Sequence, residues 1–271
     1  MPELPEVETS KRGIAPHIEG QQLKQLIIRN GALRWPIPSN LANDLAQHQL
    51  LSISRRGKYM LFNFDSGTVL MHLGMSGSVR ILDNSVPVAK HDHFDMVFRN
   101  GRILRFNDPR RFGALLWAGD TPFEHPLLAH LGPEPLSEDF STDYLFARSR
   151  GRQVAIKQFI MDSKVVVGVG NIYANESLFL AGINPNRSAG KISKARYKRL
   201  VEIIKKVIAK AIEMGGTTLK DFSQADGKPG YFKQHLRVYG RGDEPCENCQ
   251  KPLKETRHSN RTTVYCVKCQ T

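Results

Sequence analysis

The sequence predicts a multidomain α+β protein: an antiparallel β-sandwich in the N-terminal half, helices after it, and a cysteine-rich module at the end. Three observations carry this expectation. From Leu23 to Ala118 the chain is a series of short β-rich runs separated by turn signals. After residue 140 the apolar period lengthens from that of a strand to that of a helix. All four cysteines fall within the last 26 of 271 residues. A chain of this length, 40% hydrophobic, can build more than one core.

The β-rich runs are LKQLIIR, LLSISRRGKYMLFNF, TVLMHLG, SVRIL, FDMVFR, RILRF and GALLWA. Asn100-Gly101, between FDMVFR and RILRF, predicts a two-residue type I′ turn, because both residue types tolerate positive φ. Strands joined so closely are antiparallel, which points to a sandwich or barrel. LGPEPLSEDF, residues 131–140, is proline-rich and acidic and suits a linker. NIYANESLFLAGI then reads as a helix, and NPNRSAGK as a turn. In SKARYKRLVEIIKKVIAKAIEMGG, Leu200, Ile203, Ile204, Val207, Ile208, Ala211 and Ile212 share one helical face. Ser193 is the expected N-cap, and Gly215-Gly216 the stop. Gly168-Val169-Gly170-Asn171 opens the first of these helices, where backbone N–H groups point at an anion.

The net charge of +13 is unevenly spread. Residues 1–150 hold 17 Lys and Arg against 16 Asp and Glu; residues 151–271 hold 22 against 10. A basic half suits a polyanionic partner, nucleic acid first, whose condensed counterions are released on binding. No apolar run approaches the roughly 20 residues of a membrane helix, and the start lacks a secretory signal, so a cytoplasmic protein without a membrane partner is expected.

Cys246-x2-Cys249 and Cys266-x2-Cys269, separated by 16 residues, have the spacing of a four-cysteine zinc site. Four protein ligands leave no open position, so this zinc would be structural. The intervening ETRHSNRTTVY would form a hairpin turning Arg257, His258 and Arg261 outward. HDHFD, residues 91–95, places His91, His93 and Asp95 on one face of a strand and so could hold a second metal. No further ligand is evident, and nucleic-acid contact at His91 with hydrogen-bonded roles for the other two is the expectation. The opening MPELPEVETS, acidic and terminal, reads by itself as a loose tail.

Its motifs change that reading. MPELPEVET, LGMSGS (73–78), DPRRFG (108–113), VGVGNIYANE (167–176), GGTTLKDF and DGKPGY (within 215–231) and the four-cysteine end together resemble the bacterial formamidopyrimidine-DNA glycosylase family, nearly end to end. The resemblance implies three segments: a catalytic β-sandwich with flanking helices over 1–132, a helix-two-turns-helix domain over 133–236, and a zinc finger over 237–271. It implies a base-excision repair enzyme, both glycosylase and abasic-site lyase, that flips oxidised purines out of double-stranded DNA and cleaves the strand by β,δ-elimination, as a monomer. The nucleophile would be the amine of Pro2 once Met1 is removed, with Glu3 as general acid/base and Glu6 orienting the site. Pro5 suits the first turn of a helix, so the terminus would be docked.

By the same resemblance Met75, Arg110 and Phe112 would fill the void left by the flipped nucleotide, Arg110 meeting the orphaned base. Lys58, His72, Asn171 and Arg261 would contact phosphates, and Lys58 and Arg261 would also assist proton transfer. His91 and Arg152 match further DNA-contacting positions, Lys157 one near the lesion pocket, and Tyr239 a weaker one. TTLKDFSQADGKPGY would fold over the everted base. Two rivals follow from the same residues: an endonuclease VIII-like glycosylase for oxidised pyrimidines, and a zinc-finger protein that binds nucleic acid without chemistry.

Overall fold

Residue Pro5 sets the start of the first helix, α1 (Leu4–Ile18), because its missing N–H falls in a turn where no partner is needed. Leu4, Val7, Ile14 and Ile18, at helical spacing, are all buried. The computed structural model describes residues 2–83, 85–217, 232–258 and 260–271, and these group into two compact units: 2–129 with 214–217, and 130–213 with 232–271.

After α1 the first unit runs β1 (Leu23–Ile28), α2 (Leu41–Leu45), β2 (Leu50–Arg56), β3 (Tyr59–Phe64), β4 (Gly67–His72), β5 (Ser78–Leu82), β6 (Asp92–Phe98), β7 (Ile103–Asn107) and β8 (Ala114–Gly119). The strands form two antiparallel sheets of order β1-β6-β7-β5 and β2-β3-β4-β8. One apolar core takes side chains from both sheets and both helices, among them Leu26, Phe62, Met71, Phe94, Phe106, Ile14 and Leu41. This is the expected sandwich, and Phe94 stacks on Phe106 at its centre with ring centroids 4.9 Å apart. Burial of each such ring is worth about 2–3 kcal/mol.

The β6–β7 turn departs from expectation. Only Gly101 takes a positive φ, +83°, and its N–H donates to Phe98 O (3.1 Å) while Phe98 N–H reaches Arg102 O (2.9 Å). The loop is therefore a three-residue turn ending in a glycine bulge, not a type I′ pair. Asn100 contributes instead through its side chain, whose Oδ1 accepts from Arg102 N–H (3.0 Å).

The second unit holds α3 (Thr142–Ser149), α4 (Ile156–Met161), α5 (Asn171–Ala181) and α6 (Lys194–Glu213), then β9 (Lys254–His258) and β10 (Arg261–Tyr265), an antiparallel hairpin. Helix α5 ends at Gly182 in the left-handed conformation (φ +69°), and Ser193 caps α6 as expected, its Oγ accepting from Arg196 N–H at 3.4 Å. Residues 131–140 are not a solvated linker. Phe140 is fully buried, Gly132 N–H donates to Ser163 O (2.8 Å), and Pro133 O accepts from Val167 N–H (3.1 Å). A Cβ at position 132 would lie 2.8 Å from the 164–165 backbone, so glycine is required there. The cysteine-rich end groups with the helices, while 214–217 groups with the sandwich. Among the described residues no helix is long and apolar enough to cross a membrane.

One ion cluster joins α1 to the β2 strand. The Glu8 carboxylate, 6% exposed, accepts from Arg55 Nε (2.8 Å) and Arg12 Nε (2.8 Å) and pairs with Lys11 Nζ (2.9 Å). Burial alone would push its pKa up, but the three cations outweigh it and hold the carboxyl at about 2, below its ordinary 4.5. A depressed folded-state pKa stabilises above the unfolded value, and the stabilisation is lost as pH falls through the folded one. Glu8→Gln is therefore expected to lower stability by on the order of 2 kcal/mol near neutrality. In urea unfolding followed from pH 7 to 2.5, the gap between wild type and variant should narrow steadily below about pH 4.5.

Candidate active site and metal centre

The N-terminus is packed, not frayed. Pro2 is buried, Glu3 is 3% exposed and Glu6 1%. Glu3 is the N-cap of α1, and the Glu6 side chain reaches back so that its Oε2 accepts from Glu3 N–H (2.9 Å). The other Glu6 oxygen, Oε1, accepts from Thr217 N–H (2.8 Å) and Thr217 Oγ1–H (2.9 Å). One carboxylate thus fixes the chain at residue 3 to the segment that follows α6. Gly216, at φ +74°, lets that segment approach, since a Cβ there would sit 2.9 Å from Glu6 Oε1. The expected base-covering stretch from residue 218 to 231 lies outside the described residues.

Lys58 occupies the two-residue turn between β2 and β3, after Gly57 at φ +57°. Its neighbour Tyr59 pairs with His72 across β3 and β4, their rings 4.8 Å apart. His72 Nδ1 accepts from Gly74 N–H (2.9 Å), which leaves the other ring nitrogen as the donor. Burial, then the positive charges of Lys58 and Arg34, lower the His72 pKa to about 4, so the ring is neutral at physiological pH. Arg55 Nη1 also donates to Gly57 O (3.0 Å), which extends the Glu8 cluster to the turn bearing Lys58.

Met75, Arg110 and Phe112 come together as exposed tips of two adjacent loops. Met75 is 38% and Phe112 41% exposed, and the Arg110 guanidinium carbon lies 5.1 Å from the Phe112 ring centroid. The two loops touch where Gly74 meets the 112–113 backbone: a Cβ at Gly74 would fall 2.4 Å from Phe112 C. His91 is half-buried just before β6, and its carbonyl accepts from Asp108 N–H (3.0 Å).

The rest of HDHFD serves structure, as expected. A bulge at His93 breaks the strand's alternation, and His93 Nε2–H donates to Asp108 O (2.7 Å). Asp95 is held bidentately by Arg105 (Nε and Nη2, 2.9 Å each) and paired with Arg29. Burial raises the Asp95 pKa, and the two guanidiniums more than reverse this, leaving it below its ordinary value.

In the second unit, Cys246, Cys249, Cys266 and Cys269 place their sulfurs within 4.8 Å of one another, the only such donor cluster among the described residues. Sulfurs of a tetrahedral centre with metal–sulfur bonds of about 2.3 Å lie roughly 3.8 Å apart. The 4.0 Å from Cys246 to Cys269 and 3.4 Å from Cys249 to Cys266 fit one such ion. Burial and the neighbouring thiols push Cys269 up to about 12, so a cation is what would let all four ionise.

Buried polar groups weld this module to α4 and α5, a role that the sequence motifs do not announce. Glu176 accepts from Arg237 N–H (2.8 Å), Val238 N–H (3.0 Å) and Tyr239 N–H (2.8 Å). Asn175 Oδ1 accepts from Val264 N–H (2.9 Å), and its Nδ2 donates to Asn171 O (2.6 Å). The Lys157 ammonium, on α4, donates to Thr262 O (2.7 Å) and Thr263 Oγ1 (2.8 Å), and the residue is only 5% exposed. That side chain is committed to the hairpin. Arg261 stands exposed on the same hairpin, Asn171 is half-buried at the α5 start, and Arg152 is exposed in the turn before α4.

Sequence models of the formamidopyrimidine-DNA glycosylase N-terminal domain and H2TH domain match residues 1–115 and 131–223. The formamidopyrimidine-DNA glycosylase of Cellvibrio japonicus is 61% identical over the full length of both chains. Among solved structures, the MutM (Fpg) protein of Thermus thermophilus superposes with a TM-score of 0.90 at 37% identity, over 99% of this chain and 98% of the other. A Lactococcus lactis Fpg mutant, crystallised in complex with DNA containing Fapy-dG, does so with a TM-score of 0.93 at 31% identity over the whole of both chains. The chain belongs to the formamidopyrimidine-DNA glycosylase family.

Proposed function

We propose that this protein excises oxidised purines from double-stranded DNA and then cleaves the abasic strand, acting as a monomer in the bacterial cytoplasm. The observation that carries the reading is the packed terminus, in which Pro2 and Glu3 sit buried at the capped start of α1. Loss of Met1 makes the Pro2 nitrogen an amine. An α-amino group titrates near 7.7–8.0 and a lysine near 10.4, so far more of the terminal amine is unprotonated at pH 7. Proline's secondary amine is somewhat more basic, which trims that advantage. Glu3 protonates the sugar ring oxygen as the amine attacks C1′, and the base departs. The resulting iminium cannot discharge by losing an N–H, so it draws electrons from the sugar and the strand breaks by β- and then δ-elimination.

The remaining residues take supporting roles in this reading. Met75 and Phe112 wedge into the stack and Arg110 meets the orphaned base, suited to this by their exposure at adjoining loop tips. Neutral His72 donates to a phosphate; Lys58, Asn171 and Arg261 grip others, and Lys58 and Arg261 move protons. His91 and Arg152 extend the DNA contact, and Tyr239 adds a lesser one. Lys157 acts on DNA through the hairpin it holds. The four cysteines hold one zinc, which folds the module that presents Arg261. Membership of the formamidopyrimidine-DNA glycosylase family supports this substrate class over a binding protein without chemistry and over an endonuclease VIII-like specificity, and the Lactococcus mutant was crystallised with Fapy-dG containing DNA.

Borohydride trapping on an 8-oxoguanine·cytosine duplex should give a covalent adduct, formed faster than with thymine glycol, and lost in Pro2→Gly or when Met1 is retained. Absence of any adduct with the processed wild type, at saturating enzyme, sinks the reading. Stripping the metal with a chelator should release one zinc by native mass spectrometry and weaken duplex binding by at least about tenfold. Retained binding after complete removal would contradict the finger's role. Arg110→Ala should flatten the preference for cytosine opposite the lesion by roughly tenfold, and cut abasic-site cleavage far less.

A further inference from the structure

Asp108 joins three chain segments that carry candidate DNA contacts, and no role described above uses it. It is fully buried. Its Oδ1 accepts from Ser76 Oγ–H (2.7 Å), beside Met75, and from Arg110 N–H (3.2 Å). Its Oδ2 accepts from Gly113 N–H (2.8 Å), next to Phe112. Its backbone N–H donates to His91 O (3.0 Å), and its carbonyl accepts from His93 Nε2–H (2.7 Å) and Arg111 N–H (3.2 Å).

Local conformation alone does not hold these loops. Arg111 takes φ +56°, a left-handed conformation unfavourable for a residue with a Cβ. Gly74 and Gly113 permit the close approach: a Cβ at either would collide with Phe112 or Phe106 at about 2.4–2.5 Å. What fixes the approach is a buried carboxylate that three donors from two loops share, and leaving any of them unmet inside the core is costly.

We propose that Asp108 is a positioning residue: its carboxylate locks the 73–78 and 108–113 loops into one rigid unit, so that Met75, Arg110 and Phe112 enter the duplex together. The inference rests on the proposed function and adds the element that makes void filling concerted. Loops no longer bound to each other would reach the stack one at a time, and the everted state would lose occupancy. Chemistry at the N-terminus would be untouched wherever no void has to be filled.

The test compares two substrates: an 8-oxoguanine·cytosine duplex, and a single-stranded oligonucleotide bearing an abasic site, which has no partner base and no stack to refill. Asp108→Asn keeps the volume and turns one acceptor oxygen into a donor facing donors. Single-turnover excision from the duplex should fall on the order of tenfold, with the preference for cytosine flattened, while single-strand cleavage stays within about twofold. Ser76→Ala removes one donor only and should shift both readouts the same way by a smaller factor. If Asp108→Asn does not fold, as read by its circular dichroism melt, the Ser76→Ala pattern decides. Equal losses on both substrates, or no loss on the duplex, overturn the inference. Failure of wild type to trap or cleave either substrate overturns the functional reading itself, a result distinguishable from failure of the variants alone.

Discussion

Everything proposed for the reaction depends on one carboxylate. Glu6 is almost fully buried, and its two oxygens face two ways, one to the N–H of Glu3 and one to Thr217. A chain terminus ordinarily frays because few contacts offset the entropy of ordering it. Here the capping of α1, the fixed φ of Pro5 and a tertiary hydrogen bond to a distant segment all act on the first few residues. The Pro2 amine proposed as the nucleophile would thus have lost its freedom before substrate arrives, which is how proximity lowers a barrier. The same carboxylate contacts Thr217, the last described residue before position 218, so the proposed reaction centre and that residue share an anchor.

The sandwich supplies rigidity to the exposed tips in a different currency. Its core orients β3, β4 and β6, and buried polar groups then set the loops between strands: Asp95 with Arg105 and Arg29, His93 and Asp108 with each other, Glu8 with Arg55. Loss of either partner in each would leave a charge or donor unmet inside the protein. The second unit follows the same logic, where Lys157, Asn175 and Glu176 fasten the cysteine-rich module to the helices. A metal could fold that module, and these contacts, with those of Gln270 and Arg196 at its end, fix the hairpin that carries Arg261 against the helices.

Much of this was legible in the sequence. The strands, the α6 face with its Ser193 cap, and the cysteine spacing are local or periodic signals, and the structure has them. Pro5 announces a helix start where composition alone reads as a tail. The errors were of one kind. Asn100-Gly101 was expected as a type I′ turn, yet the bulge is chosen by strand register, which a dipeptide does not encode. Residues 131–140 have a linker's composition but pack through Gly132 and Phe140 against residues far along the chain. Asp108, Glu8 and Glu176 lie inside motifs, but the motifs do not announce their bonding roles, because each has a partner at least 32 positions away, and an acidic residue gives no sign of being buried.

The most direct test of the account is where the reduced adduct sits. Trapped protein–DNA complex, digested with nuclease and protease and sequenced by mass spectrometry, should show the sugar remnant on the nitrogen of Pro2 in a peptide that lacks Met1. A remnant on Lys58, Lys157 or any other internal lysine would contradict it.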